Sequence, residues 1–366
     1  MDEKTLLEIL ANLNDHRIER KKEHLLIDIV VITIASVICG AENWNQIQMF
    51  GQSKYEWFKT FLKLPNGIPS HDTFNRFFSL LEPDKFESIF MEWVSTISKR
   101  IKGEVINIDG KTIRGAKNLG KKSPIHMVSA WANSNNLVLG QIKVNEKSNE
   151  ITAIPELLKI LLVENCIITI DAMGCQTQIA QKIIDQNADY ILAVKGNQKE
   201  LEQNIEDSFR FLKAEQIHED LDAGHGRVET RKCSVITNFE YLENKEKWVN
   251  LKSIVKIESE RYFKSTGKTE ISSRIYISSL KDTAENFQNY IRSHWGIENK
   301  LHWTLDVSFR EDASRKRTGN SAQNFSVVNK IALNLLKNDT SIKASVMSKR
   351  LNAGWNQEYL KNILGF

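Results

Sequence analysis

The chain has 366 residues, 41% hydrophobic and 26% charged, the make-up of an ordinary globular protein with room for roughly two domains. A formal net charge of +4 permits a polyanionic partner without requiring one, and four scattered cysteines with no CxxC pair argue against a disulfide scaffold or a cysteine-held zinc. The charged start MDEKTLLEIL does not read as a secretory signal, and the longest apolar run, LLIDIVVITIASVIC at 25–39, is short of a bilayer span and carries Asp28, so a buried helix and no membrane association are expected.

Helices are predicted over 3–14, 24–39, 43–50 and 54–63. In LPNGIPSHDTFNRFFSLL (64–81), Pro65, Asn66, Gly67 and Pro69 make a turn and Ser70 caps the next helix. Phe74, Phe77, Phe78 and Leu81 follow at helical spacing. Pro83 reads as an interruption, and Asp84 as the cap of a last helix to about 101, with Phe86, Phe90, Trp93, Val94 and Ile97 as its core stripe. Residues 1–101 therefore form an all-helical N-terminal domain. A helix–turn–helix here would set His71, Asn75 and Arg76 against DNA; a packing bundle with a polar surface accounts for the same residues.

VINIDGKTIRGA (105–116) reads as a short buried strand ending on Asp109. Asn107 is its lone polar interruption, Gly110 frees the backbone, and Lys111, Thr112 and Arg114 form a polar rim. A buried carboxylate is costly unless it is paired or binds metal; the plainer reading is a turn cap. CIITIDAMGCQTQIAQKII (166–184) repeats the grammar, with a strand ending on Asp171, then Gly174 and an amphipathic helix at 175–187. Between the two, 125–132 and 137–144 alternate as strands joined by a hairpin at 133–136, and a helix covers 150–163. A strand at 189–195 and a helix to 212 complete the stretch. Three sequential strands, then helix, strand, helix, strand, is the order of the ribonuclease H-like α/β fold, whose first part is placed at 102–212. Its first and fourth strands would bring Asp109 and Asp171 to one sheet edge, where loops begin and ligands bind. Neighbouring carboxylates repel unless a hard cation lies between them, and oxygen-only ligation suits Mg2+.

From 213 to 282, three β-rich, charge-laced runs read as an insertion. Its Arg227, Arg231, Lys232, Lys256, Arg261 and Arg274 suit a phosphate backbone, and solvated strand faces explain them equally well. His225, between glycines, does not read as a metal ligand. The second part of the core is placed at 283–340. It opens with a helix from Ala284 in which Gly296 weakens one turn, and in which Glu298, His302 and Asp306 stack four apart. If that helix returns to the sheet edge, Glu298 is the favoured third carboxylate and Asp306 the reserve. Arg292, Lys300 and His302 would hold phosphate or orient water; a surface salt bridge is the bland alternative for any of them. Arg310, Arg315, Lys316 and Arg317 form the densest positive cluster, suited to DNA phosphates or to a solvated loop. A helix at 320–337 and a helical tail at 341–366 close the chain.

Several longer strings carry a resemblance: LPNGIPSHDTFNRFFSLL, INIDGKTIRG (106–115), IHMVSAWA (125–132), LGQIKVNEKSNEITAIPELL (139–158), TIDAMGCQ (169–176), ADYILAVKGNQ (188–198), GHGRVETR (224–231) and RSHWGIENKLHWTLDVSFRED (292–312). Over nearly its whole length the chain resembles transposases of the ISAs1 group, also called H-repeat-associated proteins, within the DDE superfamily related to the IS4 type. The resemblance implies that Asp109, Asp171 and Glu298 form a catalytic, metal-binding triad. It implies phosphoryl transfer assisted by two Mg2+ ions, or Mn2+ in their place, when DNA is bound. Lys111, Arg292, Lys300, His302 and Asp306 are auxiliary candidates, and Arg114 joins the DNA-contacting arginines. The implied partner is double-stranded DNA, as terminal inverted repeats and as target, in a bacterial cytoplasm and on the nucleoid when bound. Joining two ends further suggests a homodimer in the DNA complex. In the wider IS4-type pattern a tyrosine stands seven residues before the Glu, an arginine four before and a lysine seven after; here those places hold Ile291, His294 and Leu305, which leaves the grip on DNA ends and any hairpin intermediate open. The rivals are a ribonuclease H-like nuclease that never joins strands and an inactive DNA-binding remnant.

Overall fold

The computed structural model describes residues 5–15, 17, 22–99, 101–116, 124–145, 149–224 and 226–365; His225 lies outside them. In chain order they form α1 (Leu6–Leu10), α2 (Leu26–Ile38), α3 (Trp44–Ser53), α4 (Tyr55–Phe58), α5 (His71–Leu80), α6 (Pro83–Ile97), β1 (Val105–Ile113), β2 (Ile125–Ala132), β3 (Leu137–Lys143) and α7 (Glu150–Ile160). There follow β4 (Ile167–Ile170), α8 (Thr177–Ile184), β5 (Asp189–Val194), α9 (Lys199–Phe211), β6 (Gln216–Gly224), β7 (Arg227–Ile236), β8 (Ser253–Phe263) and β9 (Lys268–Ser278). The chain closes with α10 (Ala284–Gly296), a π-helical turn (Ile297–His302), α11 (Trp303–Ser308), α12 (Ser321–Asn338), α13 (Val346–Trp355) and α14 (Gln357–Leu364).

The strands make one sheet in the order β3-β2-β1-β4-β5-β9-β8-β7-β6. β1 pairs antiparallel with β2 and parallel with β4, and β4 pairs parallel with β5. With β3 antiparallel outside β2, this is the ribonuclease H-like arrangement the element order predicted. The β-rich stretch holds four strands, one more than the three runs expected. The missed strand is β6, whose residues QIHEDLDAG are almost all exposed and offer no apolar alternation. β9 pairs antiparallel with β5, so the meander prolongs the core sheet instead of standing beside it.

Side-chain alternation along β1 sorts its residues between two cores. Ile106 and Ile108 pack with α7 and α8 residues on one face, while Val105 packs with Phe287 and Ile291 of α10 on the other. α2, α5, α6 and α12–α14 share a third apolar core, in which α12 is buried from Ser321 to Leu336. Asn334 of α12 bonds both backbone groups of Val138 on β3, at 2.9 Å each, and so joins helices to sheet.

Local expectations fare unevenly. Ser70 does cap α5, accepting from the Thr73 amide. Pro83 does not interrupt: it is the first residue of α6, where a missing N–H costs nothing, and Asp84 lies inside the helix instead of capping it. The 25–39 run is the buried helix α2, and among the described residues no helix is long and apolar enough to cross a membrane.

Candidate active site

β1 does not end on Asp109. It pairs with β2 as far as Ile113, and what stops is its parallel partner, since the β1–β4 register ends at Ile108 beside Ile170. The next residue on each chain is an aspartate, so Asp109 and Asp171 come side by side at one sheet edge. Asp171 caps the turn after β4, accepting from the Met173 amide at 3.0 Å. Burial pushes the Asp109 carboxyl up to about 7, with Asp171, Glu150 and Glu298 adding repulsion. Burial raises Asp171 too, and Glu150 raises it further.

Asn107, wholly buried two residues before Asp109, explains how α10 is seated. Its Nδ2 donates to the Ser293 carbonyl at 2.9 Å, and its Oδ1 accepts from Thr169 Oγ1 at 2.7 Å. The Thr169 hydroxyl, having spent its proton, accepts from His294 Nδ1 at 2.8 Å. Burial, then the charge of Arg274, hold His294 down to about 4, which keeps it neutral in this chain of bonds. Asn107→Leu is expected to cost about 1–3 kcal/mol by leaving buried partners unpaired; urea titration measures it, and wild-type stability would show the chain of bonds to be dispensable.

The helix continues through Gly296, where a side chain would crowd the residue that follows β2: a Cβ there would lie 3.1 Å from Asn133 Oδ1. The π turn that follows re-aims the expected stack. Glu298 is exposed, yet within electrostatic reach of Asp109. His302 is mostly buried, with Nδ1 3.5 Å from Asp109 Oδ2. Burial, then Lys111 and Lys330, depress its pKa to about 3. Among the described residues no three His, Cys, Asp or Glu side chains close into a ready-made metal cage.

Lys111 is not a free rim residue. Its Nζ lies 2.5 Å from Asp306, 2.9 Å from Glu311 and 3.6 Å from Asp312. Asp306 is thereby engaged through Oδ1. Lys316 is likewise corrected as a surface DNA contact: it is 6% exposed, its Nζ sits 3.4 Å from the Phe325 ring centre, and it donates to the Glu42 carbonyl. Its neighbours Arg310, Arg315 and Arg317 stay exposed, as does Arg114. In the helical region His71 and Arg76 are exposed, while Asn75 is half-buried and accepts from Ser321 at 3.4 Å.

Beside the carboxylate edge, the outer parts of β7–β9 and α10 enclose a cleft of about 690 Å3 lined by Arg227, Arg231, Arg261, Arg274, Arg292 and Lys300. Arg231 and Arg261 grip the buried Glu229 at 2.6 and 2.9 Å. Arg292 pairs with Asp222 at 2.9 Å, and Arg274 lies 4.7 Å over Trp295. Glu150 is the acidic neighbour that sequence reasoning missed: nothing in the polar loop NEKSNE distinguishes it from its neighbours.

Comparison with known proteins identifies relatives along the whole chain. The family described as "Transposase DDE domain" matches residues 100–335, and the one described as "DDE_Tnp_1-associated" matches 7–94. "Putative transposase YncI" of Escherichia coli O157:H7 is 44% identical, over all of this chain and 95% of its own length. "H repeat-associated putative transposase YhhI" of Escherichia coli K12 is 41% identical, over all of this chain and 98% of its own. A cryo-EM structure of a piggyBac transposase synaptic complex with hairpin DNA covers 97% of this chain and 76% of that one, at 12% identity and a TM-score of 0.47. A ribonuclease H-like sheet with paired aspartates at its edge, matched over most of its length by this domain family, makes the chain a member of the IS4-type DDE transposases.

Proposed function

We propose that the protein is an ISAs1-group transposase that cuts double-stranded DNA at transposon ends and joins the freed 3′ ends to target DNA by in-line phosphoryl transfer. It works as a dimer on DNA in a bacterial cytoplasm. The observation that carries this reading is the juxtaposition of Asp109 and Asp171, each with its pKa raised, within reach of Glu298.

The donor set fits Mg2+: it is oxygen-only, and its burial and mutual repulsion are what a hard divalent cation relieves. Asp109, Asp171 and Glu298 would hold the ions, whose chemistry when bound is to acidify a water and stabilise the leaving 3′ oxygen. The exposure of Glu298 suits a ligand that completes its contacts when DNA arrives. Neutral His302 is placed to orient water or the Asp109 carboxylate without adding charge. The arginine-lined cleft would carry a phosphate backbone away from the edge, with Arg114, Arg310, Arg315 and Arg317 on the other side.

Labelled duplexes bearing the native element ends, incubated with Mg2+ and target DNA, test the reaction. Cleaved and joined products are expected. Cleavage without joining would favour a nuclease, and no cleavage an inactive remnant. Arg274→Ala and Lys300→Ala are each expected to weaken DNA binding and to make its log–log salt dependence shallower by about one unit. An unaltered slope in both variants would remove the cleft from the DNA path.

A further inference from the structure

We infer that His302 is a positioning residue: its Nδ1–H donates to Asp109 Oδ2, fixes the rotation of that carboxylate and leaves its other oxygen for a cation. The inference rests on the site reading above and deepens it, since it selects the carboxylate over a bound water as the group that His302 orients. Alternation along β1 puts Asn107, Asp109 and Lys111 on the face that α10 covers. Each meets a different level of the helical segment that runs past them. Asn107 bonds the Ser293 carbonyl with Gly296 beside it, Asp109 meets His302, and Lys111 bonds Asp306 at 2.5 Å. His302 to Asp306 is one helical turn, a rise of about 6 Å. Asp109 to Lys111 is about 6.6 Å of strand, so the two contacts are in register. From Gly296 to His302 is six residues for the same two-residue step along β1, and the wide π turn Ile297–His302 takes up the difference. His302, and not Glu298, is therefore the residue that this turn sets against Asp109.

The contact is enclosed. The His302 side chain is 13% exposed and that of Asp109 19%, and Nδ1 lies 3.5 Å from Oδ2. Contacts of this kind are commonly long before ligands bind. Among the described residues Nε2, also buried, has no hydrogen-bond partner. A buried N–H without an acceptor is rarer than an acceptor left bare. The one proton of the neutral ring therefore belongs on Nδ1, against the carboxylate. The neighbouring side chains on this face are committed elsewhere: Lys111 to Asp306 and Glu311, Asn107 to Ser293 and Thr169. A hydrogen bond from outside to a carboxylate that holds metal is the arrangement by which outer partners orient ligands.

Two substitutions separate the ring nitrogens. In His302→Asn the side-chain amide can stand where Nδ1 stands, and in His302→Gln where Nε2 stands. Mn2+ binding to the full chain without DNA, read by electron paramagnetic resonance, is expected to weaken roughly tenfold or more in His302→Gln. His302→Asn should recover most of that loss, and both should keep the wild-type far-UV circular dichroism spectrum. In end cleavage, the loss in His302→Gln should fall on kcat and on the Mn2+ requirement, with KM for the duplex kept. Nitrogen NMR of the wild-type ring at pH 8, assigned by the signal missing from His302→Asn, should show the proton on Nδ1. Equal losses in the two variants, or a proton on Nε2, would overturn the inference. Asp109→Asn serves as the reference. If it loses Mn2+ and His302→Gln binds like wild type, the inference falls and the site reading stands. If neither changes binding, or the wild type takes up no Mn2+, both fall. Should His302→Gln not fold, the NMR measurement and His302→Asn decide: wild-type-like Mn2+ binding in that variant with the proton on Nδ1 supports the inference, and any other result ends it.

Discussion

Asp109→Asn is expected to abolish end cleavage and strand joining in Mg2+ while DNA binding persists, and to make the metal-free protein more stable. The loss should exceed about 100-fold, since even outer partners of a metal ligand are worth 10–100-fold. The gain in stability follows from linkage. Asp109 holds its proton up to about 7 in the folded chain, against an ordinary 3.8. Between roughly pH 4 and 7 the folded state therefore binds a proton that the unfolded chain has released, and stability falls as pH rises through that window. Above pH 7 the ionised carboxylate costs on the order of 4 kcal/mol, which the amide avoids. In EDTA at pH 8 the variant should melt above the wild type, and the gap should close toward pH 4. Strand joining by the variant at the wild-type rate would sink the catalytic assignment. A lower melting temperature at pH 8 would sink the electrostatic account while leaving the catalytic one.

Glu311→Gln should be strongly destabilising, and should disturb the active edge as well. Glu311 is 2% exposed and faces two lysines, Lys111 at 2.9 Å and the buried Lys330. Burial alone would raise its carboxyl, yet Lys111 and Lys330 pull it down to about 2. Ser326 and Asn329 donate to its other oxygen at 3.1 and 3.4 Å. Because the folded value lies below the ordinary 4.5, this stabilisation is present above pH 4.5 and lost as pH falls toward 2. Neutralising Glu311 takes from buried Lys330 the carboxylate that faces it and leaves Lys111 to Asp306 and Asp312, and breaking a buried pair costs about 3–5 kcal/mol, or several degrees of melting temperature in a chain of this length. Lys111 lies two residues beyond Asp109 on the same face of β1, so loss of its Glu311 partner changes the charge balance beside Asp109 even while Asp306 and Asp312 hold it. Glu311→Gln combined with Lys330→Met should recover much of the loss. Wild-type melting in the single variant would show the ion cluster to contribute nothing.

The order of elements was legible because its signals are local: short apolar runs in β1 and β4, alternation in β2 and β3, the Ser70 cap, apolar stripes in α5 and α6. Asp109 and Asp171 could be paired from sequence because parallel strands one crossover apart bring matching ends together. Other features were not legible, since burial and partners are set by segments far along the chain. Lys111 read as a rim residue until α11 and the turn after it, about 200 residues on, supplied Asp306 and Glu311. Lys316 looked like part of a basic surface until Phe325 and Trp44 closed over it. The neutrality of His302, the continuation of the core sheet through β9, and the arrival of Glu150 over Gly110 have the same origin. By itself the sequence determined most of the elements, β6 and the π turn apart, and which two carboxylates share an edge, because turn chemistry and periodicity act within a few residues. Only the tertiary structure decided which charges stay free and which are used internally, because desolvation and pairing depend on what packs against a group, whatever its distance along the chain.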